Sequence, residues 1–253
     1  MDPFLDLTDR FPFTFDPDRM WAEVRAVEAG SGWLDHYDRA LAAGWKAIPL
    51  VSRHGRTDDP ESQRWGDVRE FRRTPVVDRM PYFRRVLDAF ACPHGRVRVL
   101  KLLPGATVGR HRDAGGEAAG YAYGKVRLHV PIRTNDRVYF DLAGRRVRMA
   151  PGRLYYCDFT RPHAVYNGGA EPRVHLVLDL VLDDFLRGVF PPAGVGERVW
   201  HWGLRRVMPV AWAALAAKAE ASRRFWRAYN GSAAQRLARR VRGRPPRTPA
   251  GVG

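Results

Sequence analysis

Between residues 96 and 181 the chain changes direction every few residues. Pro104-Gly105, Asn135-Asp136, Ala143-Gly144, Pro151-Gly152 and Asn167-Gly168-Gly169 are turn signals. Glycine and asparagine accept positive φ at no great cost, and proline presets the first turn angle. The stretches between them are rich in Val, Leu, Tyr and Phe, and most are too short for a self-sustaining helix. Eight strands are predicted, over 96–103, 107–113, 125–133, 138–142, 145–149, 154–159, 162–166 and 173–181. Short strands with a turn after each one are the pattern of an all-β barrel or jelly roll.

The flanks read differently. Residues 1–15 mix Phe, Pro and Asp without a period and are expected to wrap over the surface. Asp16-Pro17-Asp18 starts a helix, with a capping residue followed by proline. Met20, Val24 and Val27 share its buried face, and Gly30 ends it. Residues 44–51 read as a strand and 52–66 as a polar loop. Thr74-Pro75 opens a second helix to about Ala91, with Tyr82, Val86 and Phe90 as its apolar stripe. A short helix over 183–190 closes the strand-rich part, and Pro191-Pro192 marks a boundary. Three segments follow: N-terminal elements packing on the core (1–95), a β core (96–192), and an Ala-rich, basic helical tail (193–253) with a disordered end.

Chemistry concentrates in His111-Arg112-Asp113. In an extended strand, side chains at i and i+2 share a face, so the imidazole and the carboxylate stand side by side. His163 follows 52 residues on, in Arg161-Pro162-His163. Two histidines and one carboxylate on one face of an octahedron leave three positions open, the ligand set of non-haem Fe(II) oxygenases.

Five stretches, taken together, carry a resemblance. They are Leu102-Leu-Pro-Gly-Ala-Thr-Val-Gly-Arg-His-Arg-Asp113, Arg127-Leu-His-Val-Pro-Ile-Arg-Thr-Asn135, Pro151-Gly-Arg-Leu-Tyr-Tyr156, Arg161-Pro-His163 and Arg173-Val-His-Leu-Val-Leu-Asp179. In this order they resemble the aspartyl/asparaginyl β-hydroxylase family, strongly over about 96–190 and more weakly over 30–95. The resemblance implies a double-stranded β-helix (jelly roll, cupin-like) and a 2-oxoglutarate- and Fe(II)-dependent dioxygenase that uses O₂. It implies that His111, Asp113 and His163 hold the iron. Arg173, ten residues after His163, would pair with the distal carboxylate of 2-oxoglutarate, and His129 would contact its metal-proximal carboxylate. His175, on the face of Arg173, is a further candidate for the pocket wall. Animal members of the family carry Gly at the carboxylate position; here Asp113 is present.

The resemblance does not name the substrate. One reading is the β-carbon of Asp or Asn, or another amino-acid residue, in a peptide, protein or free amino acid, with Arg53, Arg56, Arg72 and Arg73 available for an acidic substrate. A second is a membrane-associated lipid acyl-chain hydroxylase, and a third is a non-enzymatic cupin-like binding protein. The 253-residue chain carries +16, but residues 197–253 hold thirteen Lys/Arg against Glu197 and Glu220, a net +11. The excess is therefore a property of the tail, which could meet a membrane surface or an acidic partner; nucleic-acid binding is not implied. No apolar run is long enough to cross a bilayer, and the N-terminus lacks a secretory signal. Cys92 and Cys157 cannot form a disulfide framework. A cytoplasmic protein, with peripheral membrane contact as the variant, is expected.

Overall fold

Alternation of side chains along each strand decides how this chain closes. The computed structural model describes residues 1–31, 33–36, 41, 43–113, 119–204, 206, 207 and 210. The chain divides into two units, Met1–Arg206 and Val207–Gly253. The second lies almost wholly outside the described residues, and with it the helix and disordered end expected in the tail. In the first unit the strands are β1 (Phe4–Asp6), β2 (Leu34–Asp35), β3 (Trp45–Arg53), β4 (Phe71–Arg73), β5 (His94–Leu102), β6 (Thr107–His111), β7 (Lys125–Arg133), β8 (Val138–Leu142), β9 (Arg145–Val147), β10 (Tyr155–Cys157), β11 (His163–Asn167) and β12 (Arg173–Val181). Helices include α1 (Pro17–Ser31), α2 (Pro81–Asp88) and α3 (Asp184–Val189), and residues 195–204 are helical as well.

One sheet runs β1-β10-β7-β12-β5-β3-β2 with β4 paired to β3; the other runs β6-β11-β8-β9. The described pairings are antiparallel. The inner faces meet over Leu102, Tyr155 and Cys157 from the large sheet and Val108, Phe140 and Val165 from the small one. This is a double-stranded β-helix, the fold that the family resemblance implies and one of the jelly-roll class that the turn spacing predicts. The turn glycines Gly105, Gly144 and Gly152 adopt φ of 75°, 80° and 75°, a region that side chains with a Cβ rarely enter.

The large sheet is covered on its outer face too. Leu128, Val130, Leu176, Leu178, Val97 and Val99 point outward into a core shared with Met20, Val24 and Val27 of α1 and with Phe83 and Val86 of α2. The predicted helix faces are therefore the buried ones. Asp16 caps α1 by accepting from the N–H groups of Asp18 and Arg19, each at 3.0 Å.

Three details depart from the sequence reading. The second helix is not continuous: Pro75–Arg79 is a 3-10 turn, and α2 begins afresh at Pro81. Proline disfavours helical backbone in the residue before it, and Met80 sits at φ −128°, ψ 69°. Glu23 of α1, not a local residue, accepts from the N–H groups of Tyr82 and Phe83 at 2.7 and 3.1 Å. Residues 1–15 contribute an edge strand, since β1 pairs with β10. Finally, β3 pairs along β5 from Trp45↔Leu102 to Val51↔Val97, so the N-terminal segment supplies four strands of the large sheet.

Leu176 is fully buried at the centre of the large sheet, whereas Tyr139 is 48% exposed on the small one. Leu176→Ala is expected to cost about 2–5 kcal/mol by lost transfer energy and a residual cavity. Tyr139→Ala should stay within ~0.5 kcal/mol. Urea unfolding of both variants checks the contrast.

Candidate metal centre

His111 ends β6 and His163 opens β11, and the two are directly paired in the register. Further along, Val165 pairs with Val108, so β6 carries one more residue than β11 between the two pairings. That bulge has a consequence for side-chain direction. Val108 and His111 are an odd number of residues apart and would point to opposite faces of a regular strand. The bulge lets Val108 enter the inner core while His111 still turns into the same cavity. Asp113 lies just beyond β6, and its N–H donates to the carbonyl of Phe159 at 2.9 Å.

The three side chains converge. One ligand atom from each of His111, Asp113 and His163 lies within 4.8 Å of the others. Asp113 Oδ1 is 3.6 Å from His111 Nε2 and 3.9 Å from His163 Nε2. The other nitrogen of each ring is already committed. His111 Nδ1 donates to the carbonyl of Gly109 at 2.8 Å, and His163 Nδ1 donates to that of Arg161 at 3.0 Å. A carbonyl can only accept, so the proton is on Nδ1 and each Nε2 presents a lone pair. Burial pushes the His163 imidazole down to about 4, so it is neutral and ready to bind a metal at physiological pH. Two imidazoles and a carboxylate fit Fe(II).

Behind these groups is a cavity of about 440 Å³ lined by all three, by Arg127 and His129 of β7, and by Arg173 of β12. Phe140, Phe159 and Val165 supply apolar wall. Arg173 is buried, and no carboxylate lies within ion-pair distance of it among the described residues; its Nη2 donates to His175 Nδ1 at 3.0 Å. Burial pushes the guanidinium down to about 10, which still leaves it charged at neutral pH. A buried cation facing a cavity is suited to an incoming carboxylate. His129 Nε2 is buried without a hydrogen-bond partner in the protein. Both positions therefore fit a bound 2-oxo diacid. His175 faces a second, smaller cavity of about 260 Å³ that it shares with Arg173.

The sequence reading missed a set of buried charges beside the site. Asp179 of β12 sits opposite Arg127 in the register. It accepts from Arg127 Nε at 2.5 Å and from Arg96 Nε, while Arg98 Nη2 is 3.9 Å away. These arginines hold its carboxyl far below the usual carboxylate range against the opposing effect of burial. The available signal was Arg96-Val-Arg98, charges alternating with an apolar residue in a strand whose other face is core. The arginines suggested for an acidic substrate are elsewhere. Arg53 pairs with Glu70, Arg56 with Asp58 and Arg73 with Asp88; Arg72 bonds the carbonyls of Arg69 and Phe71. None of the four lines the metal cavity. Of the Gly-rich loop after Asp113, residues 114–118 lie outside the described residues, and Tyr121 is buried against Phe190.

Comparison with known proteins finds that the family described as aspartyl/asparaginyl beta-hydroxylase matches residues 18–182. The chain belongs to the aspartyl/asparaginyl beta-hydroxylase family. Membership makes it a dioxygenase of the hydroxylase class. Among solved structures, a 2OG-Fe(II) oxygenase family oxidoreductase from Burkholderia pseudomallei is 16% identical, with 64% of this chain and 78% of that one covered and a TM-score of 0.39. A Pseudomonas putida prolyl-4-hydroxylase is 12% identical, covers 72% and 93%, and has a TM-score of 0.41. A cupin domain from Bordetella pertussis is 18% identical over 34% and 79%, with a TM-score of 0.26.

The buried histidines make the metal-free hydroxylase acid-sensitive. His129, His163 and His175 are all held below 6.5, first by burial and then, for His129 and His175, by nearby Arg173. The unfolded chain takes up protons near pH 6.5 that the folded chain refuses, so stability is complete above that pH and falls below it. The slope is up to ~1.4 kcal/mol per pH unit for each histidine, ending for His163 near pH 4. Urea midpoints measured from pH 7.5 to 5 should fall steadily below pH 6.5; a flat profile would refute neutral burial.

Proposed function

We propose that the protein hydroxylates an unactivated C–H bond in an amino-acid residue of a peptide, protein or free amino-acid substrate, most directly the β-carbon of Asp or Asn. His111 Nε2, Asp113 Oδ1 and His163 Nε2 are the proposed ligands of Fe(II). When bound, the iron supplies the activation of O₂ coupled to oxidative conversion of 2-oxoglutarate to succinate and CO₂. The chain's own residues do the rest. Arg173 pairs with the distal carboxylate of the cosubstrate, and its planar fork fixes direction as well as distance. His129 meets the proximal carboxylate. Phe140, Phe159 and Val165 keep the cavity dry and orient what enters it. The observation that carries this reading is the convergence of three ligand atoms within 4.8 Å at the mouth of a cavity that also contains Arg173.

A second reading, a lipid acyl-chain hydroxylase at a membrane face, draws on one observation: Val195, Val199, Trp200 and Trp202 are exposed on the helical stretch that begins after Gly194. Exposed tryptophans among arginines suit a bilayer interface. Among the described residues no helix is long and apolar enough to cross a membrane. A reducing compartment is proposed, on the strength of free Cys92 and Cys157 and the preference of the site for Fe(II).

Anaerobic loading with Fe(II), then a screen of peptides, amino acids and acyl lipids for one added oxygen atom coupled to succinate, tests the reading and chooses the substrate class. His111→Ala should abolish succinate formation. Arg173→Met should raise the 2-oxoglutarate KM by ~10-fold or more, the loss of a charge-assisted bidentate pair. Substantial turnover in His111→Ala would sink the assignment.

A further inference from the structure

Asp113 is the one proposed ligand outside a strand, and it borders residues outside the described set. Its backbone is tied through the N–H bond to Phe159. Its side chain is tied by Arg127, whose Nη1 donates to Oδ2 at 2.7 Å. The other oxygen, Oδ1, is the one that approaches His111 and His163. Arg127 is itself held. Its Nε and Nη2 donate to the two oxygens of Asp179 at 2.5 and 3.3 Å, and its guanidinium lies 4.8 Å from the Phe159 ring centre. Asp179 is 2% exposed and takes Arg96 as well.

We propose that Arg127, clamped by Asp179, is a positioning residue that turns one oxygen of Asp113 toward the metal and withholds the other. The inference rests on the metal reading above. A carboxylate left to itself can grip an ion with both oxygens and so occupy two neighbouring positions. An octahedral ion held by His111, His163 and both oxygens would keep two open positions; held by one oxygen, it keeps three. A 2-oxo acid binding through two atoms, together with O₂, requires three. A donor on Oδ2 at 2.7 Å enforces the second arrangement, and the buried Asp179 behind Arg127 prevents the guanidinium from drifting. The link runs from β12 through β7 to a residue that has no strand of its own.

The test is a double-mutant cycle on Co(II) affinity, measured by titration of the full chain without cosubstrate or turnover. The variants are Arg127→Met, Asp113→Gly and the two combined; Asp113→Gly retains both imidazoles and is titrated to millimolar Co(II). Arg127→Met leaves Asp179 with Arg96, and thermal melting checks that the fold persists. With Asp113 present, Arg127→Met should change Co(II) affinity by ~10-fold or more, as removal of a group that orients a ligand does, and the absorption spectrum of bound Co(II) should shift as the freed Oδ2 joins the ion. With Asp113 absent it should change affinity by less than about 2-fold, the mark of an effect that acts through Asp113 alone. Equal changes in both backgrounds, or no change in either, would overturn the positioning role. Should Arg127→Met fail to fold, Arg127→Lys runs the same cycle, since a single ammonium cannot reach both carboxylates. If the unmodified chain fails to bind one Co(II), the metal reading falls and this inference with it; normal binding with an uncoupled cycle overturns this inference alone.

Discussion

The pairing of β6 with β11 is the constraint on which the rest of the site depends. It sets His111 directly across from His163, with the two ring centres 4.1 Å apart. Side-chain direction alternates with period two, so a slip of one residue would send His163 to the other face of the small sheet. The apolar pattern on β11 resists that slip: Val165 shares the inward face of His163, while Tyr166 is 44% exposed on the other. The bulge between the two pairings then corrects the phase of β6 so that Val108 and His111 both serve the interior. Packing fixes the register, and the register delivers the ligands.

The large sheet solves a different problem. Its inner face carries Arg96, Arg98, Arg127, His129, Arg173, His175 and Asp179 at positions that are almost wholly buried. Isolated buried charges are costly, and they persist where they are paired or poised for a ligand. The set separates along the strands. Toward the ends of β7 and β12 nearest Asp113, Asp179 neutralises part of the charge and ties it to Asp113 through Arg127. At the start of β12, Arg173 has His175 as its hydrogen-bond partner and the cavity in front of it. The largely apolar outer face of the same sheet, packed against α1 and α2, supplies burial energy that offsets such a polar interior.

Much of this was legible in the sequence, and the reasons differ by residue. His111, Asp113, His163, His129 and Arg173 stand in the motifs that carry the family resemblance; i, i+2 spacing on a strand carries the shared direction of Arg127 with His129 and of Arg173 with His175, whereas Asp113 reaches the site from just beyond β6. The turn signals announced the eight strands from β5 to β12, but not β1, β2 or β4. The bulge did not show, because a strand with one extra residue has the same composition as one without it. The role of Arg96 was hidden because its partner Asp179 is 83 residues away, and an arginine alternating with valine ordinarily faces water. Arg53, Arg56 and Arg73 looked available only because Glu70, Asp58 and Asp88 could not be matched to them before the fold was known. The break before α2 was visible in principle, since Pro81 excludes a helical Met80, but the apolar stripe through Tyr82, Val86 and Phe90 suggested continuity.

The central claim is that two paired strands and the residue beyond one of them present three donors to a single ion, with a guanidinium behind them for the keto acid. A crystal structure grown anaerobically with Mn(II) and 2-oxoglutarate tests it most directly. It should contain one ion bonded to His111 Nε2, a single oxygen of Asp113 and His163 Nε2, with the far carboxylate of the keto acid on Arg173. An ion bound elsewhere, or a keto acid that leaves Arg173 untouched, would contradict the account.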